Sequence, residues 1–196
     1  MFLAYRIFMG VKILITIREL WDKDMLEAIQ LKALCLPEEL AGMSEEKLNI
    51  EKEYSYWTNW MHAGIENNDV RALLGAFEND KMLGVAFVSY AEIEDSNSGI
   101  ELNGLWVYPE MRGRGISLML ISKILDYYEK LGLKEIIVYN YHNSSSNSFY
   151  RKLGAKVFKT ELQMDGKIPT DVFKCDIPAM IDYISKSTVK YKMDFY

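Results

Sequence analysis

Residues 101–131 read ELNGLWVYPEMRGRGISLMLISKILDYYEKL, and the rest of the chain is interpreted outward from them. A strand over 100–107 runs into a short turn at 108–111. The basic glycine segment Arg112-Gly113-Arg114-Gly115-Ile116-Ser117 follows, and a helix carries on to Leu131. Ile116, Leu120, Ile124, Tyr128 and Leu131 recur at three- and four-residue spacing, which gives that helix one buried face. Ser122, Lys123, Asp126, Glu129 and Lys130 fall mostly on the other side, with Asp126 and Lys130 a favourable i,i+4 pair. Gly132 is placed to end the helix.

A glycine loop that opens a helix has a physical use. The first helical N–H groups lack partners inside the helix, and the helix dipole points its positive end at them. Glycines let a ligand approach the backbone, so phosphate or pyrophosphate can sit there. Arg112 and Arg114 add positive charge. A nucleotide P-loop needs a Gly-Lys-Ser/Thr ending, which is absent. The dinucleotide fingerprint needs a third glycine, and Leu118 holds that place.

Pro109, Arg112, Gly115 and Ser117 fit Arg-x-x-Gly-x-Gly/Ala after a strand and a proline. This resembles the coenzyme A loop of the GNAT superfamily of N-acetyltransferases. Ser117 replaces the usual glycine or alanine, but it is small and keeps its amide. Asn143-Ser144-Ser145-Ser146-Asn147-Ser148-Phe149-Tyr150-Arg151-Lys152-Leu153-Gly154 resembles the family's second signature, Asn-x-x-Ala-x-x-Phe-Tyr-x-Lys-x-Gly-Phe. Ser146 stands for the usual alanine and Ala155 for the usual phenylalanine. The two motifs come in the family's order, at a spacing that fits one strand–helix–strand crossover.

The resemblance implies an α/β (α+β) fold: a mixed, mostly antiparallel central sheet with helices on both faces and a splayed parallel pair at strands 4 and 5. It implies acetyl-CoA as co-substrate, with pyrophosphate on the backbone of Arg112, Gly113, Arg114, Gly115, Ile116 and Ser117. The pantetheine arm would contact the backbone of Leu105 and Val107, with Asn143, Ser146 and Tyr150 at the same site, and Gly104 in mid-strand suits a bulge beside it. The activity implied is transfer of an acetyl group to a primary amine of a small molecule or protein, by direct attack through a tetrahedral intermediate. A free amine of pKa about 10 is mostly protonated at neutral pH. A base must therefore take its proton, aimed N–H groups such as that of Val107 must hold the oxyanion, and the leaving thiolate gains from a proton donor. Tyr150 is the expected donor and Glu101 the expected base; Glu92 and His142 are further candidates for the base. The alternative is a non-catalytic coenzyme A-binding regulatory or interaction protein of the same fold.

The composition is compatible with this. A chain of 196 residues, 49% hydrophobic, suits a single domain over 1–196 with a core at about 11–177 and a C-terminal extension over 178–196. A net charge of -5 argues against a nucleic-acid partner and mildly suits a cationic acceptor. Cys35 and Cys175 read as buried thiols, and the lean cysteine use points to a cytoplasmic protein. No His, Cys or carboxylate grouping has metal-ligand spacing, so no metal is expected. Arg6 and Lys12 interrupt the apolar start, which is too short to span a bilayer, and no membrane association is expected.

Along the rest of the chain, 11–17 reads as the first strand and residues before Met9 as an upstream extension. A helix from Met25 stops at Pro37. A second starts at Ser44, runs to about Glu66 and carries Tyr54, Tyr56, Trp57 and Trp60. Those rings are either core or one wall of an acceptor pocket. Strands are expected at 71–77 and 82–93 around an Asn79-Asp80 turn, then at 136–139, 155–164 and 171–177, with a short helix over 143–153. Residues 178–184 suit a helical turn. Val189, Tyr191, Met193 and Phe195 alternate as a last strand, an edge able to pair with another subunit. Many relatives are dimers, so a homodimer is among the expectations.

Overall fold

The computed structural model describes residues 2–8, 11–40, 48–67, 69–191 and 193–195. In chain order these form β1 (Phe2–Phe8), β2 (Val11–Glu19), α1 (Asp22–Leu40), α2 (Ile50–Glu66), β3 (Ala72–Glu78), β4 (Lys81–Tyr90) and β5 (Gly99–Val107). A 3-10 turn at Pro109–Met111 leads to α3 (Ile116–Lys130), β6 (Glu135–Tyr141), α4 (Asn147–Lys152), β7 (Lys156–Gln163), β8 (Ile168–Asp176), α5 (Ile177–Tyr191) and β9 (Met193–Phe195). The strands make one sheet in the order β7-β8-β6-β5-β4-β3-β2-β1-β9. Every pairing is antiparallel except that of β5 with β6. Counted from Val11, these are the expected strands 4 and 5, and the mixed sheet flanked by helices is as expected.

Local chemistry accounts for the connections. Asn79 and Asp80 have φ of 48° and 65°, the conformation a two-residue hairpin demands, and they join β3 to β4. Gly132, at φ 82°, ends α3, and its amide bonds back to Glu129. On one face of the sheet α1 and α2 bury Met25, Ile29 and Trp57 against Phe87 and Trp106. On the other, α3 and α5 bury Ile116, Leu120, Ile124, Met180 and Ile184. Tyr128 is wholly buried there, and its hydroxyl is satisfied by the Val70 carbonyl. Among the described residues no helix is long and apolar enough to cross a membrane.

Several boundaries differ from the sequence reading. The upstream extension contains a strand, Phe2–Phe8, paired along its length with β2. Pro37 does not end α1, which continues through it to Leu40; proline removes one hydrogen bond, here to the Ala33 carbonyl, and the packed helix tolerates the loss. The expected cap Ser44 lies outside the described residues, and α2 starts at Ile50, capped by the Asn49 side chain on the Lys52 amide. The tail is mainly helical, because Ile177, Met180 and Ile184 bury one helix face before the three-residue β9. Leu131 follows α3 and is half exposed rather than buried.

Two irregularities in β5 prepare the site. Phe87 faces Gly104 while Val88 faces Leu102, so Asn103 is an extra, bulged residue. The bulge reverses the alternation: Leu102 and then Leu105 and Val107 pack on the α3 side, whereas Trp106 packs on the α1 side. A Cβ on Gly104 would lie 2.2 Å from the Trp106 ring, so the indole occupies the space a side chain would fill. We expect Gly104→Ala to displace Trp106 and cost about 1–3 kcal/mol, the range for overpacking, read as a lower denaturation midpoint in urea.

Candidate active site

The parallel ladder between β5 and β6 lasts three residue pairs, Gly99–Glu135, Ile100–Ile136 and Glu101–Ile137. Beyond them the strands separate. A cavity of about 280 Å³ opens in the gap, with Leu102–Val107 on one wall and Val138, Tyr139 and Asn140 on the other. Ser144, Ser145 and Ser146 and the rings of Phe149 and Tyr150 close one side. Cys35, Glu38 and Glu39, from the end of α1, close another. An extended arm carrying amide groups fits such a gap, because the free edge of β5 presents backbone donors and acceptors.

Val107, Arg112, Ser117 and Phe149 also line a second cavity, which reaches Gly113, Gly115 and the start of α3. Gly115 caps α3 in the left-handed region at φ 81°, and no side chain caps the helix. Its first amides are thus available to an anion. Gly113, at φ 69°, has open space where a Cβ would stand. The Arg112 side chain turns inward: Nε donates to the Val107 carbonyl at 3.2 Å, and the guanidinium bonds Glu38 and Cys35 Sγ. Glu38 also accepts from Ser145 at 3.3 Å, so α1 ties both walls of the gap together. An uncapped helix start, an open glycine and a confluent channel fit a pyrophosphate joined to an extended arm.

On the far side the channel meets a wider cleft of about 460 Å³. Glu39, Asn103, Trp106, Tyr139 and Asn140 belong to both spaces. Glu92, Glu101 and Glu161 line the outer cleft only, with Lys32 as a cation there. Lys32 is already held by Glu53 at 2.6 Å and lies over the Trp57 ring, so the cleft keeps a negative field. Burial pushes the Glu101 carboxyl above its ordinary range; the Asn103 amide opposes the shift at 2.9 Å, and the charges of Glu92 and Asp95 reinforce it. Asn103 Oδ1 is buried without a hydrogen-bond partner.

Of the residues expected from sequence, Leu105, Val107, Arg112, Ser117, Ser146 and Tyr150 line the inner cavity; Gly113, Gly115 and Ile116 line the loop. Tyr150 is 7% exposed, packs on Phe149 and Phe173, and has its phenol pushed up, chiefly by burial. Glu101 and Glu92 fall in the outer cleft. Arg114 and Asn143 are exposed and line neither space, and Asn140 occupies the wall instead. His142 is turned to Asp171 at 2.8 Å, away from the cavity. Of the α2 aromatic residues, Trp57 is buried on Phe87, Tyr54 and Trp60 pack partly against the same core and Tyr56 is exposed; none lines either space, and the indole in the site is that of Trp106. The sequence reading missed Cys35, Glu38, Glu39, Asn103 and Asn140. The bulge expected at the mid-strand Gly104 is present, and the register makes its extra residue the preceding Asn103.

The comparisons bear on this geometry. The family model described as "Acetyltransferase (GNAT) family" matches residues 34–155. PaiA N-acetyltransferase from Thermoplasma acidophilum, solved with coenzyme A, is 25% identical with a TM-score of 0.65, covering 83% of this chain and 98% of that one. YncA from Salmonella typhimurium, solved with acetyl-CoA, is 16% identical with a TM-score of 0.62, covering 83% and 94%. Spermidine N-acetyltransferase from Vibrio cholerae, solved with CoA and spermine, is 15% identical with a TM-score of 0.62, covering 85% and 98%. A comparison with curated proteins finds no match. With the match spanning α1 to the end of α4, and with a splayed parallel pair beside an uncapped helix start, the chain belongs to the GNAT family of acetyltransferases and is an acyltransferase.

Proposed function

We propose that residues 1–196 form a single cytoplasmic acetyltransferase domain that moves an acetyl group from acetyl-CoA to a primary amine of a small molecule or peptide, by direct attack through a tetrahedral intermediate. The supporting observation is a row of three cavities, each sharing lining residues with the next. It runs from the start of α3, through the gap between β5 and β6, to an acidic cleft. With the pyrophosphate at one end, the thioester at the tip of the pantetheine arm would meet an amine from the cleft at the level of Tyr150. Both thiols are free and buried, in keeping with a reducing compartment.

Four groups serve the reaction in this reading. The Tyr150 hydroxyl has no hydrogen-bond partner among the described residues and stays protonated, because burial raises its pKa; it donates to the leaving thiolate. The Val107 amide, at the inner end of the gap, supports the oxyanion. Glu101, with Glu92, draws the ammonium form of the acceptor into the cleft. The acidic lining suits a cationic acceptor with a second positive centre, as polyamines have.

Calorimetric titration with acetyl-CoA should show one site whose affinity falls sharply for a pantetheine fragment lacking the pyrophosphate. Absence of binding at near-millimolar ligand would defeat the reading. Tyr150→Phe should lower kcat about 10²-fold, the low end for general acid catalysis, and leave the acetyl-CoA Kd within about twofold; unchanged turnover would remove the donor role. Glu101→Gln should raise KM for a diamine more than for a monoamine with a neutral tail, measured in steady-state assays. Equal KM changes for the two would argue against a cationic subsite.

A further inference from the structure

The carboxylates around the channel are not equivalent. Glu92, Glu101 and Glu161 line the outer cleft, and Glu38 lines the inner cavity. Among the described residues Glu39 is the one carboxylate that lines both. It therefore stands where an amine coming from the cleft would meet a thioester lying in the channel. The Trp106 indole donates to Glu39 Oε1 at 2.6 Å, which fixes the carboxyl and leaves Oε2 free for a ligand. Trp106 is itself held edge-on against Phe87, with ring centroids 5.4 Å apart. Asn103 borders the same two spaces, and its amide nitrogen donates to Glu101 at 2.9 Å.

We propose that Glu39 is the catalytic base that takes the proton from the acceptor amine, an assignment that rests on the acetyltransferase reading above. Glu101 and Glu92 then serve the outer cleft, attracting the cation and passing the released proton to water.

The charged groups facing Glu39 support this role. Lys32 and Glu38 are on its own helix, Arg112 comes from the loop after β5, and Tyr150 comes from α4. Across Asn103 lies Glu101. Lys32 is paired with Glu53 and Arg112 with Glu38, so neither cation closes an ion pair on Glu39. Burial raises the Glu39 carboxyl above its ordinary range, while the Trp106 bond and the more distant charges of Lys32 and Arg112 restrain it. A carboxylate raised toward the working pH accepts a proton from an ammonium more readily than an ordinary one.

The step balances as follows. The ammonium passes one proton to Glu39 Oε2, and the N–H pair stays on nitrogen. That lone pair forms the C–N bond at the acetyl carbon, and the carbonyl π pair moves onto oxygen. On collapse the C–S bond breaks with its pair on sulfur, which takes the Tyr150 proton. A second nitrogen proton restores the tyrosine through solvent, and Glu39 releases its own to water.

The test is the pH dependence of kcat for wild type, Glu39→Gln, Glu39→Asp and Glu101→Gln, with a saturating diamine and acetyl-CoA. Gln keeps an oxygen to accept from Trp106, so acetyl-CoA affinity should stay within about twofold of wild type. Wild type should be flat around neutral pH and fall in acid as Glu39 is protonated. Glu39→Gln should lose about 10²-fold or more at pH 7 and climb with unit slope toward the amine's own pKa, about 10. Glu39→Asp should recover the flat region in part; Glu101→Gln should raise KM for the diamine while its kcat profile keeps the wild-type shape. A Glu39→Gln enzyme with wild-type kcat and profile overturns the assignment alone, as does transfer of the kcat loss to Glu101→Gln. A wild-type protein that acetylates no amine defeats the acetyltransferase reading and this assignment together.

Discussion

A hydrogen-bond ladder that stops after three pairs governs the functional half of this molecule. Beyond Glu101 and Ile137, β5 and β6 no longer satisfy one another, although both strands continue. Strand β5 keeps β4 on its other edge, and β6 keeps β8, so the sheet remains intact while a wedge opens inside it. The backbone groups on the inner edges of the wedge are left to a ligand or to water. The loop after β5 and the turn after β6 flank the same opening, which brings the glycine loop and the serine-rich turn to one place.

Helix α1 completes what the sheet leaves open. Its last turn supplies Cys35, Glu38 and Glu39. Glu38 connects Arg112 on one wall with Ser145 on the other, across an opening that the sheet itself does not bridge. Such exposed ion pairs contribute little to stability singly. Their importance here is geometric, since they set how far the end of α1 stands from the channel.

Much of this was legible in sequence. Residues 101–131 contain the end of a strand, a glycine loop and an amphipathic helix in one run, and each signal supports the next. The residues that escaped did so for identifiable reasons. Pro37 reads as a helix stop, because its missing N–H costs one backbone bond; packing of Leu31, Cys35 and Leu40 carries α1 past it, and Glu38 and Glu39 come with it. The bulge at Asn103 inserts a single residue, and a period-two pattern cannot show on which side of the insertion the count resets. The aromatic residues of α2 look like pocket lining by type, yet the helix turns Trp57 onto Phe87 and leaves Tyr56 exposed. In the tail, alternation at Val189, Tyr191, Met193 and Phe195 resembles a strand, while the helical spacing of Ile177, Met180 and Ile184 is what the core uses.

Gly104 and Trp106 illustrate how tightly neighbouring choices are bound. The indole lies where the Cβ of residue 104 would be, and the same indole steadies Glu39. The two positions are therefore not independent in evolution. A lineage that kept any larger residue at 104 could not acquire this tryptophan in this pose, and one that lost the tryptophan would find the glycine free to drift. The geometry constrains one step: a glycine at 104 must be in place before this tryptophan can take this pose. Such sign-dependent coupling between adjacent sites is the expected behaviour of residues sharing one volume.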